Sequence, residues 1–307
     1  MLSARKVAVL GLSSAALIGA APFALAAPTV CTVIPAGTPD VTIAVASNFY
    51  EPAQDLAASF IANDPAGSGK KIRVCHNSTG TLNTEVRTGT SGYALLLAAD
   101  KKTPDDLVAT AYVPSGATSD LYAKGIPVLF ARNVTVPNVK SLMSAAPNGA
   151  AATISYVVAP ATPINTTNAQ MAAIADTVAA PYGKAAALIL ADMGITVSNT
   201  TVPAWVTSPL YANISLTFDG VALSPYNNTS GFVSKAQICS GINPSSPTYS
   251  YIAFTNAKYV LAQHGILINS GNSTQNTLGA AIRSYMLANS DPSFWSTFLT
   301  DHCYAPI

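Results

Sequence analysis

Short apolar segments alternate with helical patterns along much of the chain. Residues 41–46 form an apolar, β-branched run, and residues 51–61 follow with apolar positions at helical spacing and a proline suited to the first turn. Further strand patterns occur at 71–76, 93–99 and 127–132. Strands that alternate with helices pair into parallel sheets through right-handed crossovers. The pattern therefore predicts an α/β fold with mainly parallel sheets, and 307 residues suffice for one large domain or two ordinary ones.

The charge content excludes several classes of protein. Only 9% of the residues are charged, and 15 basic residues against 14 acidic ones leave a net charge of +1. A nucleic-acid-binding protein needs an excess of Lys and Arg to neutralise phosphates, so we expect no nucleic-acid partner. A disordered tail rich in charge is excluded as well. Half of the residues are hydrophobic, which raises the question of a membrane segment.

The N-terminus carries the one membrane-like segment of the sequence. Arg5 and Lys6 precede a short apolar run over 7–21, and Ala24-Leu25-Ala26 has the small-x-small form that signal peptidase accepts. We predict a cleaved signal peptide over 1–26, with an uncleaved anchor as the alternative, and a periplasmic or secreted mature protein.

The four cysteines would then lie in an oxidising compartment, where an even number favours disulfides. We expect the pairs Cys31–Cys75 and Cys239–Cys303. A metal site is the alternative, because His76 follows Cys75 and His302 precedes Cys303. Metal pairs more often use C-x-x-C spacing, which the sequence lacks.

Four strand-to-helix turns are rich in Ser, Thr, Asn and Gly. They are 47–48, 78–80, 181–183 and 213–215. The start of a helix presents unpaired backbone N–H groups and the positive end of the helix dipole, so turns meeting at one sheet edge would form an anion site from neutral donors. For any single turn the alternative is plain N-capping, for which Ser, Thr and Asn are favoured.

Motifs for catalysis are scarce. The sequence has three histidines and no Gly-x-Ser-x-Gly, His-Glu-x-x-His or phosphate loop. Asp100, Asp176 and Asp219 could converge as paired carboxylates, although scattered acids usually cap helices or lie on the surface. We expect no enzymatic activity and no cofactor.

Several of these segments match a known family in order. They are Val45-Ala-Ser-Asn-Phe49, Ser78-Thr-Gly80, Ala99-Asp-Lys-Lys-Thr-Pro104, Ile174-Ala-Asp176 with Ala180-Pro-Tyr-Gly183, Asn213-Ile-Ser215 and Gly231-Phe-Val233. In these motifs the chain resembles the periplasmic molybdate-binding proteins of ABC importers, in the class-II substrate-binding superfamily. The resemblance runs from about 41 to 304, interrupted by an uncharged insertion around 141–171. The chain departs from the family's pattern at His76-Asn77 and at Thr177-Val178. It departs again at Cys303, a position at which the family usually has glycine.

The resemblance implies a two-lobed, periplasmic-binding-protein-like fold of type II. Each lobe would be a mainly parallel sheet flanked by helices, with the ligand cleft between the lobes. Residues 27–125 and 236–307 would form lobe 1, and residues 126–235 would form lobe 2, including the insertion.

The resemblance also implies a ligand set. Ser47 and Thr79 would donate to an oxyanion through hydroxyl and backbone N–H, and Tyr182 and Ile214 through backbone N–H. Asn48 would donate through its backbone or side-chain amide. The bound ligand would be molybdate or tungstate, delivered by a monomeric protein to the permease and ATPase of an ABC transporter. The alternatives are sulfate, phosphate or a small organic anion in the same fold, or an exported Cys/His metal-binding protein.

Overall fold

The computed structural model describes residues 27–132, 171–203, 206–208, 210–223, 228–242, 248–287, 292–305 and 307. The predicted signal peptide, and all but the last residue of the predicted insertion, lie outside this part of the chain. Within it, each helix is too short or too polar to cross a membrane.

The first lobe is built on a sheet of six strands in the order β1-β3-β2-β4-β10-β5. The strands are β1 (Val30–Ile34), β2 (Val41–Ala46), β3 (Ile72–Asn77), β4 (Leu95–Leu97), β5 (Asp120–Gly125) and β10 (Leu261–Leu267). Its helices are α1 (Tyr50–Asn63), α2 (Thr79–Arg87), α3 (Lys102–Val108), α6 (Ser273–Leu287) and α7 (Pro292–Asp301). The alternation predicted from 41 onward is confirmed as β2-α1-β3-α2-β4-α3.

Strand β2 lies inside this sheet because both of its faces are apolar. Val41, Ile43 and Val45 pack with α1 and α6, whereas Ala44 packs on the opposite face against Leu82 of α2. Successive residues of a strand point to opposite faces, so β2 is covered by helices on both sides. Its carboxyl end therefore opens directly into the turn that starts at Ser47.

The second lobe is built on a sheet of four strands in the order β7-β8-β6-β9. The strands are β6 (Pro127–Arg132), β7 (Met171–Ala173), β8 (Asn228–Ser234) and β9 (Tyr249–Ala253). Its helices are α4 (Pro181–Asp192) and α5 (Ile214–Ala222), and both contact β8. The two-sheet α/β architecture expected from the sequence is thus confirmed.

One detail of that expectation needs correction. The sheets are mixed rather than mainly parallel: β2 pairs in parallel with β3 and β4, but β10 runs antiparallel to β4 and β5, and β6 runs antiparallel to both neighbours. Strand β10 reaches the first sheet directly from β9 of the second sheet through residues 254–260, without the crossover helix that precedes β3 and β4. Strand β9 belongs to the second sheet, and β10, which follows it, belongs to the first.

Both predicted disulfides are present. Cys31–Cys75 joins β1 to β3, and Cys239–Cys303 joins the 3-10 helix Lys235–Ile242 to the segment after α7. Cys303 has a φ of 61°, in the left-handed region that favours glycine, which matches the family's preference for glycine at this position. All four sulfur atoms are bonded in pairs, which removes the thiolates that a Cys/His metal site would use.

Candidate functional site: a cavity between four helix N-termini

The four Ser/Thr/Asn/Gly-rich turns meet at one small cavity between the lobes. The five residues predicted as ligands all line it and are at most 4% exposed: Ser47, Asn48, Thr79, Tyr182 and Ile214. The first three follow β2 and β3 of the first lobe, and the last two begin α4 and α5 of the second. The cavity measures about 10 Å³, close to the smallest volume that holds a water molecule.

Neighbouring residues perform the capping that the sequence left as an alternative. The Ser78 hydroxyl accepts the N–H of Thr81 at 3.2 Å and caps α2, and the Asn213 side chain accepts the N–H of Leu216 at 3.0 Å and caps α5. Helix α4 has no side-chain cap and begins with Pro181. Capping therefore explains Ser78 and Asn213, but not Thr79, Tyr182 or Ile214.

The backbone N–H groups of Thr79, Tyr182 and Ile214 lie in the first turns of their helices. Such groups have no acceptor within their own helix. In the part of the chain that the structure describes, none of the three donates to another protein group. The Thr79 hydroxyl accepts the N–H of Ala99 at 3.0 Å, so its own proton is available as a further donor.

Ser47 is held by a buried histidine. Its hydroxyl lies 3.1 Å from Nδ1 of His76, whose ring packs on Tyr50 with 3.9 Å between centroids. Burial lowers the pKa of His76 to about 4, so the ring is neutral at pH 7. With the proton on Nδ1, the Ser47 hydroxyl accepts from His76 and can donate its proton to a ligand. With the proton on Nε2, Ser47 donates to His76 instead.

The side-chain amide of Asn48 is not free to donate to a ligand. The side-chain Nδ2 donates to Oε1 of Gln263 at 3.0 Å and to the hydroxyl of Tyr304 at 2.9 Å. Both of its hydrogens are therefore committed inside the protein. Of the two alternatives, the structure leaves only the backbone N–H of Asn48 available for a ligand.

The lobes contact each other directly beside the cavity. The N–H of Gly80 donates to the carbonyl of Ala179 at 2.9 Å, and Asn213 Nδ2 donates to Asn77 Oδ1 at 3.3 Å. A Cβ on Gly80 would lie 2.9 Å from the backbone of Ala179, so this close approach requires glycine. Asn77, one of the departures from the family pattern, thus serves a contact between the lobes.

Charged groups play little part in the cavity itself. Asp100 accepts the N–H of Thr103 and Asp176 accepts the N–H groups of Val178 and Ala179, so these two carboxylates cap local turns. A larger cleft of about 140 Å³ shares Ser47 and Asn48 with the cavity. Glu51 and Asp219 line that cleft, and burial raises the pKa of Asp219. Among the described residues that line either space, there is no Lys or Arg.

Sequence reasoning missed Gln263, which contacts two of the five predicted residues through its side chain. It lies in β10, which was not predicted as a strand. The adjacent polar residues Gln263 and His264 inside an apolar run were the available signal.

Known proteins resemble this chain in structure. The periplasmic molybdate-binding protein of Azotobacter vinelandii is 18% identical, with a TM-score of 0.64 over 87% of this chain and 99% of that protein. The sulfate-binding protein SubI of Mycobacterium tuberculosis H37Rv is 10% identical, with a TM-score of 0.62 over 87% of this chain and 86% of SubI. At these identities the similarity establishes the fold.

Sequence comparison identifies the family. No curated protein matches the chain at a significant level. The family profile of bacterial extracellular solute-binding proteins matches residues 41–273, which include all four turns, the second sheet and every strand of the first sheet except β1. The chain therefore belongs to the bacterial extracellular solute-binding protein family.

Proposed function

We propose that this protein captures molybdate or tungstate between its two lobes and delivers the oxyanion to an ABC importer. The observation that carries the proposal is the convergence of Ser47, Asn48, Thr79, Tyr182 and Ile214 from both lobes on one cavity. The family supplies the coarser statement, that the chain binds a solute outside the cytoplasm. The protein acts as a monomer, with the permease and ATPase complex as its partner.

The donors suit a tetrahedral dianion. A buried anion must have its oxygen atoms hydrogen-bonded, because desolvation otherwise outweighs binding. Backbone N–H groups at helix starts and two hydroxyls can supply these bonds without Lys or Arg. A site without charged side chains fits this role, because the dipoles of several N–H and O–H groups together stabilise the charge of the anion.

Donors held in fixed positions can select an oxyanion by the length of its bonds. If the donors are spaced for the oxygens of molybdate or tungstate, they stand too far from the oxygens of sulfate, whose bonds are shorter. A buried donor left without its acceptor costs about 1–3 kcal/mol, which disfavours the smaller anion. The similar structures include proteins named for molybdate and for sulfate, so these two anions are the informative pair to compare.

Calorimetric titration of the ligand-free protein with molybdate, tungstate, sulfate and phosphate tests the proposal. We expect molybdate and tungstate to bind much more tightly than sulfate and phosphate. Binding of molybdate no tighter than millimolar, with sulfate or phosphate preferred, would reassign the site to that anion. The absence of binding by all four would refute the oxyanion function.

A further inference from the structure

A buried group of polar side chains joins the two lobes behind the cavity. We call it the Gln263 network; its members are Asn48, Tyr122, Tyr182, Ser234, Gln263 and Tyr304, each at most 4% exposed. Polar groups buried this completely are costly unless they are hydrogen-bonded, so the arrangement of such a network is strongly determined.

Gln263 is the member that reaches both lobes. Its Oε1 accepts from Asn48 Nδ2 at 3.0 Å and from the hydroxyl of Tyr122 at 2.9 Å, both within the first lobe. Its Nε2 donates to the hydroxyl of Tyr182 in the second lobe at 2.9 Å. The Tyr182 hydroxyl also accepts from Ser234, the last residue of β8, at 2.9 Å. One amide thus connects the proposed ligand residues Asn48 and Tyr182.

The network lies against the point where the chain passes between the sheets. Gly125 ends β5 in the first sheet, and Pro127 begins β6 in the second. A Cβ on Gly125 would lie 1.9 Å from the Tyr182 hydroxyl and 2.2 Å from Gln263 Nε2. The atoms of the Gln263–Tyr182 hydrogen bond therefore occupy the space that a side chain at position 125 would fill.

The network also fixes the orientation of Asn48. The Tyr304 hydroxyl donates its hydrogen to the backbone carbonyl of Asn48 at 2.8 Å, so it accepts from Asn48 Nδ2. Gln263 Oε1 receives the second hydrogen of Nδ2. The Asn48 amide consequently has one orientation, in which its Oδ1 has no donor among the described residues.

We infer that Gln263 is a positioning residue that holds Asn48 and Tyr182 in their binding arrangement and stabilises the contact between the lobes. Gln263 itself lines neither the cavity nor the larger cleft. Naming Asn48 and Tyr182 as ligand residues rests on the proposed function, whereas the stabilisation of lobe contact does not.

Amide hydrogen exchange at Gly80 tests this inference in ligand-free protein. The Gly80 N–H donates to Ala179 across the lobes, so its exchange rate reports lobe contact, and the adjacent Thr79 N–H, which has no acceptor among the described residues, is an internal reference. We expect the Gly80 amide to exchange more slowly than that of Thr79 in the wild-type protein. Exchange of Gly80 as fast as Thr79 in the wild-type protein would overturn the inference.

Two variants remove the hydrogen bond between Gln263 and Tyr182, and a third variant serves as a matched control. Gln263→Met replaces the amide by a thioether of similar length, and Tyr182→Phe removes only the hydroxyl. Each should speed exchange at Gly80 by up to about tenfold and weaken molybdate binding by a similar factor, the scale of one buried hydrogen bond. Tyr122→Phe removes a bond to Gln263 within one lobe, and should leave exchange at Gly80 near the wild-type rate.

Hydrogen exchange at the Val45 amide, in the buried strand β2, distinguishes a positioning role of Gln263 from general destabilisation of the fold. Equal acceleration at Val45 and Gly80 would mean that the variants only destabilise the fold, and unchanged exchange at Gly80 in both variants would mean that the bond has no such role. Either result overturns the inference. If the wild-type protein does not bind molybdate, the proposed function fails, but exchange in ligand-free protein still decides the role of Gln263.

Discussion

At the scale of single residues, two adjacent residues at the start of a helix perform different tasks. One caps the helix and the other lines the cavity, and the sequence does not distinguish them. Ser78 and Asn213 cap their helices through their side chains, whereas the next residues, Thr79 and Ile214, line the cavity. A Ser-Thr or Asn-Ile pair at a helix start does not reveal which member performs which task. The division follows from helix geometry, because the residue before the first turn caps and the residue in it presents its N–H.

Substitution of the adjacent pair separates the two tasks. Thr79→Ala removes a hydroxyl whose proton is available in the cavity, and should weaken molybdate binding by about 1–2 kcal/mol. Ser78→Ala removes a cap, and should lower the free energy of unfolding by about 1 kcal/mol with little effect on affinity. Calorimetric titration and denaturant unfolding of both variants provide the comparison. A purely structural role for Thr79 would appear as unchanged affinity with a lowered melting temperature.

The neutral His76 makes stability depend on pH. Burial lowers its pKa in the folded protein to about 4, below the ordinary value of 6.5, so the unfolded chain binds the proton more tightly. The stabilisation is complete above pH 6.5 and is lost as the pH falls from 6.5 through 4. Over that range this one residue should remove about 3 kcal/mol from the free energy of unfolding.

Denaturant unfolding at pH 7 and pH 4 checks this effect. His76→Gln should reduce the loss of stability between the two values, because glutamine does not titrate. His302→Gln provides a control, since His302 lies at the end of α7 beside Asp55 and away from the cavity. An identical loss in the wild-type protein and in His76→Gln would assign the pH dependence to other groups.

At the scale of elements, the amino end of α2 serves both the cavity and the contact between the lobes. Thr79 lines the cavity, and Gly80 donates its N–H to Ala179 of the second lobe. The sequence identified this turn because Ser-Thr-Gly follows a strand. It could not show the partner segment, which lies about a hundred residues away in the chain.

Gly80→Ala tests the close approach of α2 to the second lobe. The added methyl would lie 2.9 Å from the backbone of Ala179, so the closed arrangement should lose about 1–3 kcal/mol. The same change favours the helix itself, because alanine has the higher helix propensity. We therefore expect weaker molybdate binding in titration, with a smaller change in the melting temperature of the ligand-free protein because the gain in helix propensity offsets part of the loss. Wild-type affinity would show that the lobes tolerate a wider separation at this point.

Elements with a clear apolar pattern were predicted well, and those without one were not. Residues 41–46 and 127–132 were predicted as strands and form β2 and β6 with the same bounds. Strand β10 was missed because Gln263 and His264 place two buried polar residues inside its apolar run. The reason for Gln263 is a hydrogen-bond network between distant segments, which local periodicity does not report.

At the scale of the whole molecule, the two sheets divide the proposed ligand residues between them. Ser47, Asn48 and Thr79 belong to the first lobe, and Tyr182 and Ile214 to the second. Their order in the chain could be read from the family resemblance. Their convergence could not be read from spacing, since it depends on strand crossings such as Gly125 to Pro127.

The low charge of the chain agrees with this architecture. The cavity is lined by backbone N–H groups and hydroxyls, so binding of an oxyanion requires no Lys or Arg. In the proposed function, closure of the lobes around the anion excludes water and strengthens these hydrogen bonds, because hydrogen bonds are stronger where the local dielectric is low. Affinity and lobe contact are therefore coupled in the proposed mechanism.

The most direct test of the proposed site is the response of its backbone amides to molybdate, followed by ¹H–¹⁵N correlation spectra. The proposed donor set predicts the largest shifts at Ser47, Asn48, Thr79, Tyr182 and Ile214, together in one titration and with one dissociation constant. Smaller shifts are expected at Leu216 and Thr81, whose N–H groups already donate to the capping side chains. Large shifts confined to the outer cleft around Glu51 and Asp219, with the five amides unchanged at saturation, would contradict the proposed site.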